Sequence, residues 1–278
     1  MDWRATLHSV ERGRRLAVNG VELEYVEDGS GVPVVFSHGA ASDIRYWAPQ
    51  QAAFAREYRF VAYSRRFHGT GSWPPGADAS PDDHADDLIA IAAQLAAEPV
   101  HLVGFSAAVA LNAVARQPAL FRTLTIIEPN APSLLTDDAA DRDVERAWKS
   151  ATERLRELHG ADPARHAEAW FELVNNQGPG TFARQPAALR EMWLANFDAK
   201  RSPPTRPALT CDDLGAITMP TLIVETEHGM PYSRRIAECV AECIPGAQTV
   251  ILPSATHFVS YQDPDAFNAV VLAFLAEH

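Results

Sequence analysis

Six short apolar runs recur along the chain: "PVVFS" (33–37), "RFVAY" (59–63), "VHLV" (100–103), "LTII" (124–127), "TLIV" (221–224) and "TVIL" (249–252). They are continuous rather than alternating, the pattern of strands buried on both faces of a parallel sheet. Parallel neighbours need a long crossover, and helical patterns fill the intervals. "SPDDHADDLIAIAAQLAAE" opens with Ser80 as N-cap, Pro81 at the first helical position and acids in the first turn. Its Leu88, Ala92 and Leu95 share one face. "DPDAFNAVVLAFLAEH" repeats the design, with Asp263 as cap, Pro264 next, and a stripe of Phe267, Val270, Val271 and Phe274. Ahead of these, "RRLAVN" and "VELEYVE" flank Asn19-Gly20, a two-residue hairpin signal. The sequence thus predicts an α/β fold: a mostly parallel sheet flanked by helices and opened by an antiparallel pair.

The alternation breaks between about 131 and 217, where the pattern is helical and aromatic: Trp148, Trp170, Phe171, Trp193 and Phe197. This predicts a helical cap, or lid, over 131–217, inserted into a core formed by 1–130 and 218–278. "RSPPTRP" (201–207) reads as the loop leading back. A chain of 278 residues has room for such a core and its insertion.

A formal net charge of −12 without basic runs argues against nucleic acid or anionic membrane as a partner. Arg65-Arg66 and Arg234-Arg235 are only pairs and read as solvated surface. Cys211, Cys239 and Cys243 form no framework of paired spacings, which suits a reducing compartment. Cys239 and Cys243, four apart on a helix, read as small buried residues. "MDWRATLHSVERGRR" lacks the apolar segment of a signal peptide, and no run reaches membrane-spanning length. The expectation is a cytoplasmic monomer or homodimer acting on a small molecule. No glycine-rich phosphate loop or ligand cluster indicates a metal, nucleotide or flavin, so no cofactor is expected.

Within this frame "VGFSAAVAL" (103–111) sets Ser106 on a strand-to-helix corner between Gly104 and Ala108. The corner approximates the nucleophile elbow G-x-S-x-G, whose flanking residues must be small because strand and helix backbones nearly touch. A serine hydroxyl needs a base, a group to orient that base, and donors for the oxyanion that forms. His38-Gly39-Ala40 follows "PVVFS", so the Ala40 N–H can join that of Ala107 as an oxyanion hole. "PSATHF" (253–258) puts His257 on the loop after the last strand. Carboxyl ends of parallel strands share one sheet edge, so Ser106 and His257 can converge. His68, His84, His101 and His228 lack this position and read as structural or solvated.

Taken in order, "HGA", "GFSAA", the helical insertion, "MPTLIV" and "ATHF" resemble the α/β-hydrolase family over essentially the whole chain. The resemblance implies Ser106 as nucleophile, His257 as base, and the N–H groups of Ala40 and Ala107 as oxyanion donors. Members commonly carry the triad aspartate after the strand matching "TLIV", in a G-x-x-D pattern. Here that stretch is "ETEHGMP", with Thr226 at the glycine position and Gly229 at the aspartate position. In some branches, including haloalkane dehalogenases and zearalenone lactonases, the acid instead ends the strand after the nucleophile helix. "TLTIIEPN" offers Glu128 there, with Glu225 and Glu227 in reserve. In "SRRFHGTG" (64–71) the family's Asp and Gly are replaced by Ser64 and Phe67, while Arg66 matches a structural arginine; Phe67 is placed to press on the pocket.

The expectation is a cofactor-independent serine hydrolase cleaving an ester or lactone through an acyl-enzyme. Trp47, Phe105, Trp148, Trp170 and Trp193 are the candidate residues for binding a small to medium, largely apolar substrate. The alternatives are a lyase on the same fold and a binding protein that has lost turnover.

Overall fold

Each continuous apolar run is a strand of one eight-stranded sheet. The computed structural model describes residues 13–75, 77, 80–95, 98–197 and 208–278. The strands are β1 (Arg14–Val18), β2 (Val21–Gly29), β3 (Pro33–Ser37), β4 (Arg59–Tyr63), β5 (Val100–Phe105), β6 (Phe121–Ile127), β7 (Thr221–Thr226) and β8 (Gln248–Leu252). Their spatial order is β1-β2-β4-β3-β5-β6-β7-β8. β1 and β2 form the hairpin, with Asn19 and Gly20 both at positive φ (44° and 78°), as a type I′ turn requires. β2 also pairs antiparallel with β4; every other pairing is parallel.

The uninterrupted apolarity of the central strands follows from two cores. Val34, Phe36, Val103 and Phe105 pack into one, and Val35, Leu102, Leu124 and Ile126 into the other. Full burial of one such side chain stabilises by about 1.5–3 kcal/mol, so alternation would forfeit one of the two faces. Helices α1 (Ala48–Phe54), α2 (Pro81–Leu95) and α3 (Ala108–Arg116) follow the early strands. The start of α2 is fixed by a reciprocal cap: Asp83 N donates to Ser80 Oγ, and Ser80 N donates to Asp83 Oδ2.

Between β6 and β7 lie α4 (Ala139–His159), α5 (Pro163–Val174), α6 (Ala187–Phe197) and α7 (Cys211–Gly215), with no strand among the described residues. "RSPPTRP" and residues 1–12 fall outside the described residues. After β7 come α8 (Pro231–Cys243), a short α9 (Val259–Gln262) and α10 (Pro264–Ala276), which Asp263 caps by accepting from Ala266 N. No helix among the described residues is long and apolar enough to cross a membrane.

One expectation is corrected. Cys211 and Cys243 form a disulfide that ties α7 to the end of α8, and only Cys239 is free and buried. The partners are 32 residues apart, so no local spacing announces the bond. The reducing-compartment expectation rested on unpaired cysteines, and the disulfide removes that support.

Candidate active site

The chain leaves β3 outward to β4 and returns to β5 on the other side, so strand order reverses between β3 and β5. Crevices of open α/β sheets form at the carboxyl ends of strands flanking such a reversal. There β3 delivers His38-Gly39-Ala40 and β5 delivers Ser106.

Ser106 has φ 51°, a left-handed conformation that costs a non-glycine residue about 1–3 kcal/mol. The corner is held on both sides: Ser106 N donates to Ile127 O of β6 (2.9 Å), and Ala108 N donates to Ser106 O (2.9 Å). Gly104 is required because a Cβ there would lie 2.6 Å from Ala110 Cβ. Gly39 is equally constrained: its Cβ would meet the Phe105 ring at 2.7 Å and Ser106 Cβ at 3.2 Å. The β3 loop thus presses directly on the elbow, with Ala40 lining the same cavity as Ser106. Ala107 is the buried N-cap residue of α3.

Glu128 continues β6, its N–H donating to Val224 O (3.1 Å), then turns at φ 46°. Its carboxylate is buried and faces two ways. Oε1 accepts from Thr226 Oγ1 (2.6 Å) and Thr226 N (3.1 Å). Oε2 lies 3.4 Å from His257 Nδ1, slightly longer than the 2.6–3.2 Å typical of catalytic hydrogen bonds, which are often long before substrate binds. The absent aspartate is explained by the same geometry. A Cβ on Gly229 would come within 2.9 Å of Glu128 Oε1, 3.2 Å of Oε2 and 2.7 Å of Thr226 Oγ1. A carboxylate delivered from β6 occupies the space beside position 229, and Thr226 at the family's glycine position seats it.

The reserve acids stand elsewhere. Glu225 is buried without a hydrogen bond to His257, and burial, then the charge of Glu128, pushes its carboxyl up to about 7. Glu227 is exposed and accepts from Ser254 N. His68 and His84 are pushed down to about 3 and 2, first by burial and then by the charge of Arg65. His101 is lowered to about 4, chiefly by burial.

A cavity of about 100 Å³ is lined by Ser106 and His257 together with Phe105, Trp148, Trp170 and Trp193. Trp148 stacks on Tyr232 (centroids 4.9 Å) and meets Trp170 edge-on (5.6 Å). Trp47 is not in this wall. It is fully buried against Phe36, Tyr46 and Phe267, because an aromatic after the β3 loop serves the core as well as a pocket. Phe67 packs on Trp73 beside a different hollow, and Arg66 is engaged by Asp87 (2.8 Å) as a structural arginine would be. Sequence reasoning missed Thr226, Asn130 and Ser233; for Thr226 the signal was its pairing with Gly229, two departures in one loop.

A model of the alpha/beta hydrolase family matches residues 34–270. The chain is 31% identical over 256 residues to a protein of Rhizobium rhizogenes named a carbamate hydrolase, RutD, covering 87% of this chain and 92% of that one. It is 25% identical over 270 residues to the 2-(acetamidomethylene)succinate hydrolase of Mesorhizobium japonicum, covering 94% of each. Its fold is that of the carboxylesterase CesB of Bacillus subtilis: TM-score 0.79, 21% identity, 100% of this chain and 96% of the other.

Proposed function

The chain belongs to the α/β hydrolase family, and on that premise we propose that it is a serine hydrolase that works through an acyl-enzyme. The observation that carries the reading is the approach of buried Glu128 to His257 Nδ1, in a cavity shared with a serine at a left-handed elbow. Ser106 Oγ attacks the substrate carbonyl while His257 Nε2 takes its proton. The oxyanion is met by the N–H groups of Ala40 and Ala107. His257 returns the proton to the leaving group, and water, deprotonated by the same nitrogen, releases the acid and restores Ser106. Glu128 holds the tautomer and offsets the imidazolium charge. Helices α4, α5 and α6 act as a cap: their Trp148, Trp170 and Trp193 line the cavity that holds Ser106 and His257.

The substrate class follows from the walls. A cavity of about 100 Å³ is smaller than the roughly 150 Å³ that holds benzene in an engineered core. The acyl group is therefore small, or the cap moves. An ester or lactone with an apolar acyl part suits the aromatic wall. One observation favours a carbonyl bonded to nitrogen as a second reading. Asn130 lines the cavity, and its buried Oδ1 has no hydrogen-bond partner. Leaving such an acceptor empty costs about 1–3 kcal/mol, and a substrate N–H would satisfy it. Two relatives are named for carbamate and acetamido substrates.

The test is a matched pair, an aryl acetate and the aryl N-methylcarbamate, assayed with wild type, Ser106→Ala and Asn130→Ala. Ser106→Ala is expected to abolish turnover of both. Asn130→Ala is expected to reduce carbamate turnover about tenfold and spare the ester. Undiminished turnover in Ser106→Ala would overturn the serine mechanism; equal effects of Asn130→Ala on both substrates would remove the second reading.

A further inference from the structure

Arg65 sits where the sequence suggested a solvated surface, yet its Nε is buried and has no hydrogen-bond partner. No carboxylate pairs with it among the described residues. Burial lowers it to about 10, so it remains a cation at neutral pH. An unpaired guanidinium under protein is costly, and an aliphatic side chain would fill the space without that cost. Its contacts indicate what it does. Arg65 Nη2 donates to Gly39 O at 2.9 Å. The same oxygen accepts from His38 Nδ1 at 2.7 Å. The tautomer of His38 is fixed, because Nε2 accepts the backbone N–H of Arg65 at 2.9 Å and the proton must be on Nδ1. Burial, and then the charge of Arg65, keeps this imidazole neutral.

Gly39 C=O and Ala40 N–H belong to one peptide unit. We propose that Arg65 is a positioning residue that clamps the Gly39–Ala40 peptide through its carbonyl and strengthens the Ala40 N–H as a donor to the oxyanion. The inference rests on the serine-hydrolase reading above. Two donors on one carbonyl, one of them cationic, draw amide electron density toward oxygen and make the N–H at the other end more acidic. Chained hydrogen bonds polarise one another in this way in a low dielectric. The clamp also fixes the peptide plane before the negative charge develops, which is where most of an oxyanion hole's effect arises. Sterics agree: Gly39 abuts Phe105 and Ser106, so a small rotation of this peptide would carry the N–H off its target. His38 supplies the neutral donor and Arg65 the charge, and the backbone N–H of Arg65 orients His38 in turn.

The experiment compares wild type, Arg65→Met, Arg65→Gln, Arg65→Lys and Ser106→Ala in kcat, KM and affinity for phenylboronic acid. That acid adds to the serine oxygen as a tetrahedral anion and so reports oxyanion stabilisation without turnover. Arg65→Met is expected to lower kcat about 10- to 100-fold, the range seen when supporting partners of a site are removed. KM should stay within about threefold, and boronate affinity should fall by the same factor as kcat. Arg65→Gln, which keeps an N–H donor without charge, should lie between Met and wild type, and Arg65→Lys closer to wild type. Thermal midpoints separate folding from function; if Arg65→Met does not fold, the Gln and Lys variants decide by the same ratios. Wild-type kcat and boronate affinity in the charge-free variants would overturn the proposal, as would a loss confined to KM or thermal stability. Failure of the underlying reading looks different: Ser106→Ala would then turn over substrate like wild type.

Discussion

At Gly229 one hydrogen atom separates a seated Glu128 carboxylate from a collision. A Cβ there would stand 2.9 Å from one oxygen of Glu128 and 3.2 Å from the other. Gly229→Ala is expected to push the carboxylate from His257, lowering turnover about 10- to 100-fold and costing about 1–3 kcal/mol of stability as overpacking. Glu128→Gln keeps the volume but presents an amide NH₂ where an acceptor is needed. Its turnover should fall about 10³- to 10⁴-fold, as for loss of an orienting acid elsewhere. Glu225→Gln and Glu227→Gln should change turnover less than about threefold, since neither carboxylate is bonded to His257. These four variants on one aryl ester rank the candidate acids. A larger loss from Glu225→Gln than from Glu128→Gln would move the acid to β7. Part of this arrangement was legible in the sequence: the empty aspartate position pointed to a carboxylate elsewhere, and the end of β6 was a place from which it could arrive. The clamp on Gly39 O was not legible, because a side chain bonded to a backbone carbonyl leaves no residue pattern.

Elements carry two further consequences. The disulfide joins α7 to α8 across 32 residues. Chain-entropy arguments assign a loop of that length about 3–4 kcal/mol. Cys211→Ser/Cys243→Ser, or reductant, should lower the urea midpoint accordingly while Ser106 remains reactive; an unchanged midpoint would show that the bond constrains nothing. The tryptophans of α4, α5 and α6 limit the cavity, and Trp148→Ala should admit acyl chains two to four carbons longer than wild type accepts. A chain-length series of aryl esters reads this directly, and an unchanged cutoff would place the limit elsewhere. The strands were legible because burial on two faces writes a continuous apolar run. The aromatic residues were legible as apolar but not as to place: Trp47 went to the core and Trp193 to the cavity wall, and composition does not distinguish these.

Across the whole molecule, buried titratable groups set the response to pH. His68 and His84 are held neutral by burial, well below the ordinary 6.5. The unfolded chain binds protons these sites refuse, so their contribution is fully present above pH 6.5 and is lost as pH falls toward 3. Each costs up to about 1.4 kcal/mol per pH unit within that window. Glu225 has the opposite sign. Raised from 4.5 to about 7, it favours the folded state at low pH, and that advantage is lost as pH rises from 4.5 to 7. Glu225→Gln should therefore stabilise by about 1–3 kcal/mol at pH 8 and by nothing at pH 4. Four imidazoles lowered by burial (His38, His68, His84 and His101) outnumber the two carboxyls raised by it (Asp87 and Glu225) among the described residues, so urea midpoints should fall steadily between pH 6.5 and 4; a flat profile would mean the histidines are solvated. Residue, element and molecule all bear on the proposed role of Ser106 as the activated nucleophile. Mass spectrometry after exposure to a fluorophosphonate tests it most directly. A single adduct is expected, mapped to the peptide bearing Ser106, absent from Ser106→Ala and slowed at least a hundredfold in Glu128→Gln. An unlabelled wild type, or an adduct that persists in Ser106→Ala, would contradict it.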